Sequence, residues 1–297
     1  MSAPLRVGAV VITMGNRPDE LKALLDSVAR QEGDPVETVV VGQGFDPAAF
    51  ADPAAGVRTV ALPENLGIPG GRNVGIEAFG PGGSDVDILL FLDDDGLLER
   101  TDTAELCRRA FAEDPRLGIV SFRIADPETG TTQRRHVPRL RASDPMRSSR
   151  VTTFLGGANA VRTAVFGQVG ALPAEFFYAH EETDLAWRAL DAGWMIDYRA
   201  DMVLLHPATA PSRHAVYHRM VARNRVWLAR RNLPLPLVPV YVGVWLLLTL
   251  LRRPSGPALK AWFGGFKEGW TTPCGPRRPM RWRTVWRLTR LGRPPVI

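Results

Sequence analysis

Five short, mostly apolar runs recur through the first 125 residues: Val7–Met14, Thr38–Val41, Val57–Leu62, Asp87–Leu92 and Leu117–Ile124. Between them the apolar residues fall at helical spacing, as at Leu21, Leu24, Leu25 and Val28, and again at Leu106 and Phe111. Gly70–Phe79 reads as a short helix after a glycine-rich turn. A continuous apolar run suits a strand buried on both faces, and strands alternating with helices imply an α/β fold. The expectation is a Rossmann-like, mostly parallel sheet with helices on both faces. Pro18-Asp19-Glu20 and Asp102-Thr103-Ala104-Glu105 both read as helix starts, the second as a capping-box pattern. Ligands of such sheets sit at the carboxyl ends of strands. Thr13-Met14-Gly15-Asn16-Arg17 and Asp93-Asp94-Asp95 both fall at such ends.

The chain has 297 residues, 45% hydrophobic and 23% charged, enough for a sizeable core. Its net charge of +6 is unevenly spread. From Arg252 onward there are 11 Lys and Arg against one acid, Glu268, while the preceding 251 residues hold 26 basic and 30 acidic groups. Cys107 and Cys274 are far apart and lack metal-ligand spacing, which fits two reduced thiols. Met1–Arg6 has no basic region, apolar core or cleavage site and does not read as a signal peptide.

Three consecutive carboxylates after Leu-Leu-Phe-Leu repel one another at a strand end that is otherwise buried. A divalent cation removes that repulsion, and Mn²⁺ or Mg²⁺ bridging a diphosphate needs one or two carboxylates. The plainer alternative is a solvated acidic turn. His180-Glu181-Glu182-Thr183-Asp184 opens an amphipathic helix, where acids complement the dipole. Crowded carboxylates also raise one another's pKa, which suits a general base. His206 follows the strand-like run Met202–Leu205 and is either structural or a metal ligand. Asn65–Gly75 is glycine-rich and runs into a helix: Gly67 and its neighbours allow close backbone approach, the helix start favours an anion, and Arg72 can pair with a phosphate. The same loop also reads as a tight turn packed on the sheet. Gly156-Gly157-Ala158-Asn159-Ala160 either leaves room for a sugar or makes a structural turn.

As a set, over about Val7–Leu233, these residues resemble the family 2 inverting glycosyltransferases of the GT-A fold, most closely bacterial rhamnosyl- and galactofuranosyltransferases of cell-envelope assembly. The resemblance implies a nucleotide-diphosphate sugar donor, UDP- or dTDP-linked, and a glycan or lipid-linked acceptor. It implies that Asp93 and Asp95 contact metal and donor diphosphate, that Asp94 lies near the ribose or sugar, and that His206 completes the metal site. Glu182 matches the family's base position, with Glu181 as the fallback and Asp184 orienting the acceptor or the helix start. Thr13, Arg17 and Arg72 line the nucleotide site, with Asn65, Gly67, Asn73 and Gly157 contributing from their loops. Many relatives carry an Asp-Asn pair after the second strand. Here the stretch reads Val41-Gly42-Gln43-Gly44, where Gln43 can read a pyrimidine edge. A sugar-1-phosphate nucleotidyltransferase is the alternative enzyme, but its glycine-rich signature belongs directly after the first strand. A non-catalytic membrane scaffold is the other, and it predicts broken acidic motifs.

Leu233–Leu251 is uncharged but interrupted by Pro234, Pro236 and Pro239, and basic residues lie on both sides. About 20 apolar residues are needed to span a bilayer, and a span here would put one basic cluster on the wrong side. The expectation is a catalytic domain over 1–232 and a basic, membrane-associated region over 233–297. That region would lie in the plane of, or re-enter, the inner face of the cell membrane. Its partner is an anionic membrane surface rather than nucleic acid, for which no binding motif is present. A helix buried against the catalytic domain is the other reading of this segment.

Overall fold

The computed structural model describes residues 4–140, 144–207, 215–252 and 254–297; parts of the expected amino terminus (1–3), of the polar excursion 127–150 and of the pair Arg252-Arg253 lie outside it. Strands β1 (Val7–Thr13), β2 (Glu37–Gln43), β3 (Val57–Leu62) and β4 (Ile88–Asp93) form a parallel half-sheet in the order β3-β2-β1-β4. The sheet continues through β8 (Ala158–Arg162), β6 (Leu117–Ala125), β9 (Met195–Leu205) and β5 (Leu97–Leu98), with the short β7 (Ser149–Arg150) beside β9. β8 runs antiparallel to both of its neighbours, so the second half of the sheet is mixed. β8 had no strand signature because Ala158-Asn159-Ala160 is short, small and partly polar, whereas β-propensity marks branched and aromatic side chains.

The period of two decides what packs where. Val7, Ala9 and Val11 of β1 join Ile88, Leu90 and Leu92 of β4 in one core. That core is covered by α1 (Pro18–Ala29) through Leu21, Leu24 and Val28, and by α3 (Thr103–Glu113) through Cys107 and Phe111. Val10, Leu89 and Phe91 point the other way, into a larger core. It holds Ile76 of α2 (Gly67–Glu77), Val165 and Phe166 of α4 (Thr163–Val169), and Leu185 and Trp187 of α5 (Glu181–Ala192). Helices therefore cover both faces.

The larger core runs on into the carboxyl-terminal helices. It takes Trp227 and Leu228 from α6 (Ala215–Asn232) and Val238 and Tyr241 from α7 (Leu237–Leu251). Val285 and Leu288 come from α9 (Trp282–Arg290). α8 (Gly256–Thr271) crosses α6 where a Cβ on Gly265 would come within 1.9 Å of the Arg219 carbonyl oxygen, so glycine permits the close approach. The Thr284 hydroxyl and the Arg281 amide donate to Asp191 at 2.5 and 2.8 Å, tying α9 to the end of α5. Among the described residues no helix is long and apolar enough to cross a membrane.

Candidate active site

One cavity opens at the carboxyl ends of the central strands, and a second lies across the segment Phe177–Thr183, which walls both. The first, of about 390 Å³, is lined by Thr13 and Arg17 after β1, Gln43 at the end of β2, Asn65 and Gly67, the Asp93–Asp95 triplet, Tyr178 and His206. The second, of about 590 Å³, takes Glu182 and Thr183 from the first turn of α5.

The first cavity is acidic. His206 Nε2 meets Asp95 Oδ1 at 2.9 Å, Arg17 also pairs with Asp95, and Arg17 Nη1 lies 3.6 Å from Asp94. Burial works against ionised Asp95, but the His206 hydrogen bond and the His206 and Arg17 charges outweigh it and hold its carboxyl below the usual range. Asp94 goes the other way: burial raises it, against a hydrogen bond with Thr13. Asp93 faces Arg72, with Nη2 to Oδ1 at 3.3 Å. Its carboxylate fills the space a Cβ on Gly157 would occupy, 1.8 Å away, so Gly157 makes room for Asp93 rather than for a sugar. Two hard oxygen donors and an imidazole are a donor set for Mn²⁺ or Mg²⁺. Asp95 and His206 already touch; Asp93 is turned to Arg72, and among the described residues no three such side chains converge as a finished metal site.

Arg72 and Glu181 connect the two cavities from behind their shared wall. Arg72, 5% exposed, reaches Asp93 on one side and Glu181 Oε1 at 3.5 Å on the other. Burial pushes Glu181 up to about 8, the Glu182 charge adding to it and Arg72 opposing it. Among the described residues no donor reaches its Oε2, as fits a carboxyl oxygen that carries a proton toward Glu182. Glu182 is raised too, first by burial. Backbone hydrogen bonds at the helix start, the Glu181 carboxyl, Arg72 and Thr183 all restrain it. Burial thus raises both adjacent carboxyls, and the pair holds a proton more readily than free glutamates do.

The loop that delivers them is strained. Phe177, Ala179 and His180 have φ of 61°, 68° and 71°, a region costly for residues with a Cβ. Asn224 of α6 holds it: its Nδ2 donates to the carbonyls of Phe176, Tyr178 and Ala179 at 2.9, 2.6 and 2.9 Å. On the other side the Ile68 amide donates to Phe177 O at 2.8 Å, and Gly67, at φ 74°, leaves no room there for a Cβ. Neither Asn224 nor Tyr178 carries a local sequence signal, because their partners lie far off in the chain.

Three expected site residues have other duties. Gln43 borders the first cavity, but its amide is engaged by the Asn65–Gly71 loop, donating to Gly67 O at 2.8 Å and accepting from Leu66 N at 2.9 Å. It holds that loop rather than facing a base. Asn73 clamps the Leu172 backbone in both directions, at 2.9 and 3.0 Å, and lines neither cavity. Asp184 is fully buried and accepts from Arg188, Arg231 and Asn232 at 2.7, 3.0 and 2.7 Å. It points away from Glu182, two residues earlier on the helix, and it anchors α6.

The fold is shared with solved glycosyltransferases at low identity. TarS of S. aureus superposes at TM-score 0.54 and 18% identity over 75% of this chain, which spans only 40% of that protein's length. A mannosyltransferase of Pyrobaculum calidifontis, solved with GDP-Man and Mn²⁺, superposes at 0.57 and 16% over 98% of this chain and 74% of its own. GalNAc-T7, solved with UDP, GalNAc and Mn²⁺, does so at 0.55 and 13% over 74% and 48%. No curated protein matches by sequence. The profile of glycosyl transferase family 2 matches residues 9–170, more than half of the chain and the strands that carry the Asp triplet, so the protein belongs to glycosyl transferase family 2.

Proposed function

We propose that the protein transfers a sugar, with inversion, from a nucleoside-diphosphate sugar in the acidic cavity to a hydroxyl acceptor in the larger one. The observation that carries this reading is the Asp93–Arg72–Glu181–Glu182 chain, which joins the two cavities at the start of α5. Glu182 takes the proton of the acceptor hydroxyl as that oxygen attacks the anomeric carbon. Glu181 stays protonated and steadies the Glu182 carboxylate, Arg17 in the donor cavity lies where it can meet charge on the departing diphosphate, and Arg72 holds Asp93 and Glu181 from behind the wall. Asp95 and His206 would hold Mn²⁺ or Mg²⁺, with Asp93 joining them on leaving Arg72; the ion would neutralise part of that charge. UDP- and dTDP-sugars remain the donors suggested by the sequence.

A membrane-facing role for the carboxyl-terminal helices belongs to the same proposal. Leu247, Leu250 and Leu251 of α7 and Phe263 and Trp270 of α8 are exposed, and Trp282 and Trp286 of α9 are exposed among arginines. Aromatic and basic side chains on one helix suit the surface of an anionic bilayer, where a lipid-linked acceptor would be found. The test is nucleotide release from the full chain with a panel of UDP-, dTDP- and GDP-sugars, with and without membrane lipid and Mn²⁺. Release that depends on one donor, metal and lipid is the expected result. Failure of every donor to bind would remove the reading.

A further inference from the structure

The second cavity has a charge opposite to the first. Arg134, Arg135, Arg139, Arg225 and Arg293 line it against one acidic side chain among the described residues, Glu182. Two of these cations make no ion pair among the described residues. Arg225 is half-buried, its guanidinium 3.3 Å from the centroid of the Trp245 ring and in contact with the Tyr241 hydroxyl. Arg293 is half-buried as well, with the Glu182 charge acting in its favour. Desolvation lowers the pKa of both, and a cation drawn partly out of water without a paired counter-ion favours an anionic ligand. Two further groups of the lining, His180 Nε2 and Trp245 Nε1, are buried with no hydrogen bond among the described residues. Trp187, Tyr241 and Trp245 supply flat apolar wall beside them.

We infer that this cavity takes an acceptor that carries a phosphate-class anion close to the hydroxyl being glycosylated, with Arg225 and Arg293 holding the anion while Glu182 faces the hydroxyl. The inference rests on the transferase reading above and narrows its acceptor. In the step itself the acceptor O–H bond breaks, its proton goes to Glu182, the oxygen bonds to the anomeric carbon, and the bond from that carbon to the diphosphate breaks with its electron pair leaving on the nucleotide. The acceptor's own phosphate is not consumed; it sets the distance between the anion site and the reacting oxygen. A neutral glycan would leave both guanidiniums uncompensated.

The experiment is a titration of the full-length protein with inorganic pyrophosphate in EDTA, followed by tryptophan fluorescence, since Trp187 and Trp245 line the cavity. Arg225→Gln, Arg293→Gln and, as a donor-side control, Arg17→Gln are compared with the wild type. Each of the first two should weaken pyrophosphate binding about tenfold or more, the loss expected for one charge-assisted hydrogen bond. Arg17→Gln should bind it as the wild type does. UDP and GDP binding with Mn²⁺ is measured on every variant, so loss of the donor site, or of the fold, is read separately from loss of the anion site. Arg293 lies in the terminal tail, so its variant is the safer of the pair should Arg225→Gln unfold. Geranyl diphosphate binding more tightly than pyrophosphate would assign the anion to a lipid carrier, and equal affinity to a soluble phosphorylated acceptor; both outcomes retain the proposal. No pyrophosphate binding by the wild type, or binding lost in Arg17→Gln but kept in the other two variants, would overturn it.

Discussion

Glu181 and Glu182 are the same side chain at successive positions, and burial raises both, with different neighbours restraining each. The reading requires Glu182 ionised, so kcat/KM falls as pH drops through its pKa, which burial places above the usual glutamate value of 4.5. Because protonated Glu181 donates to Glu182, Glu181→Gln keeps a donor there and should leave that acid limb in place. Glu181→Leu removes the donor and should move the limb to higher pH. Arg72 restrains both carboxyls, so Arg72→Met should also move it upward. A pH profile of transfer for the three variants checks the order; a limb that stays put in Glu181→Leu and Arg72→Met would contradict it. Gly157→Ala is a test of the donor side. Its methyl would collide with the Asp93 carboxylate, so transfer should drop sharply at a stability cost of about 1–3 kcal/mol from overpacking, measured by activity beside thermal unfolding.

At the scale of elements, the site depends on a loop that cannot hold its own shape. Three non-glycine residues at positive φ precede α5, and one side chain of α6, Asn224, receives three of the loop's carbonyls. Asn224→Ala leaves those buried acceptors short of a donor. It should cost about 2–3 kcal/mol in chemical denaturation and lower kcat more than it lowers nucleotide affinity, since the loop carries the glutamates and only part of the donor wall. Unchanged kcat with lowered stability would make Asn224 a fold residue alone. What could be read beforehand follows the same division. Asp93–Asp95 and Glu181-Glu182 were legible because each sits at the end of a strand or the start of a helix, where a local pattern fixes exposure. Gln43, Asn73 and Asp184 carry further duties that the local sequence does not show, and Asn224, Arg225 and Arg293 were passed over, because their partners lie elsewhere in the chain, 24 residues off for Gln43 and 99 for Asn73. β8 was missed for want of branched side chains, though its position beside β4 decides where Gly157 meets Asp93.

For the whole molecule, the helices after residue 232 share the catalytic core. The Cys274 carbonyl accepts from Arg231 at 2.5 Å, Tyr241 lies edge-on to Trp187 at 6.0 Å, and α9 is bonded to Asp191. Removing residues 233–297 should therefore expose Trp187 and lower the resistance of the remaining domain to proteolysis and heat; an equally stable truncated domain would show that these contacts contribute little. Membrane binding needs a gentler probe. Trp282→Ser with Trp286→Ser changes only exposed aromatics and should reduce sedimentation with anionic vesicles while leaving transfer to a soluble acceptor intact. Sedimentation equal to the wild type would remove α9 from the membrane surface.

Whether Glu182 is the base of a sugar transfer is decided by one comparison. Wild type and Glu182→Gln are assayed side by side for transfer from the preferred donor and, separately, for donor binding. Transfer should fall about 10²–10⁴-fold, the usual contribution of a general base, with donor affinity unchanged. Transfer near the wild-type rate with intact donor binding would contradict the account.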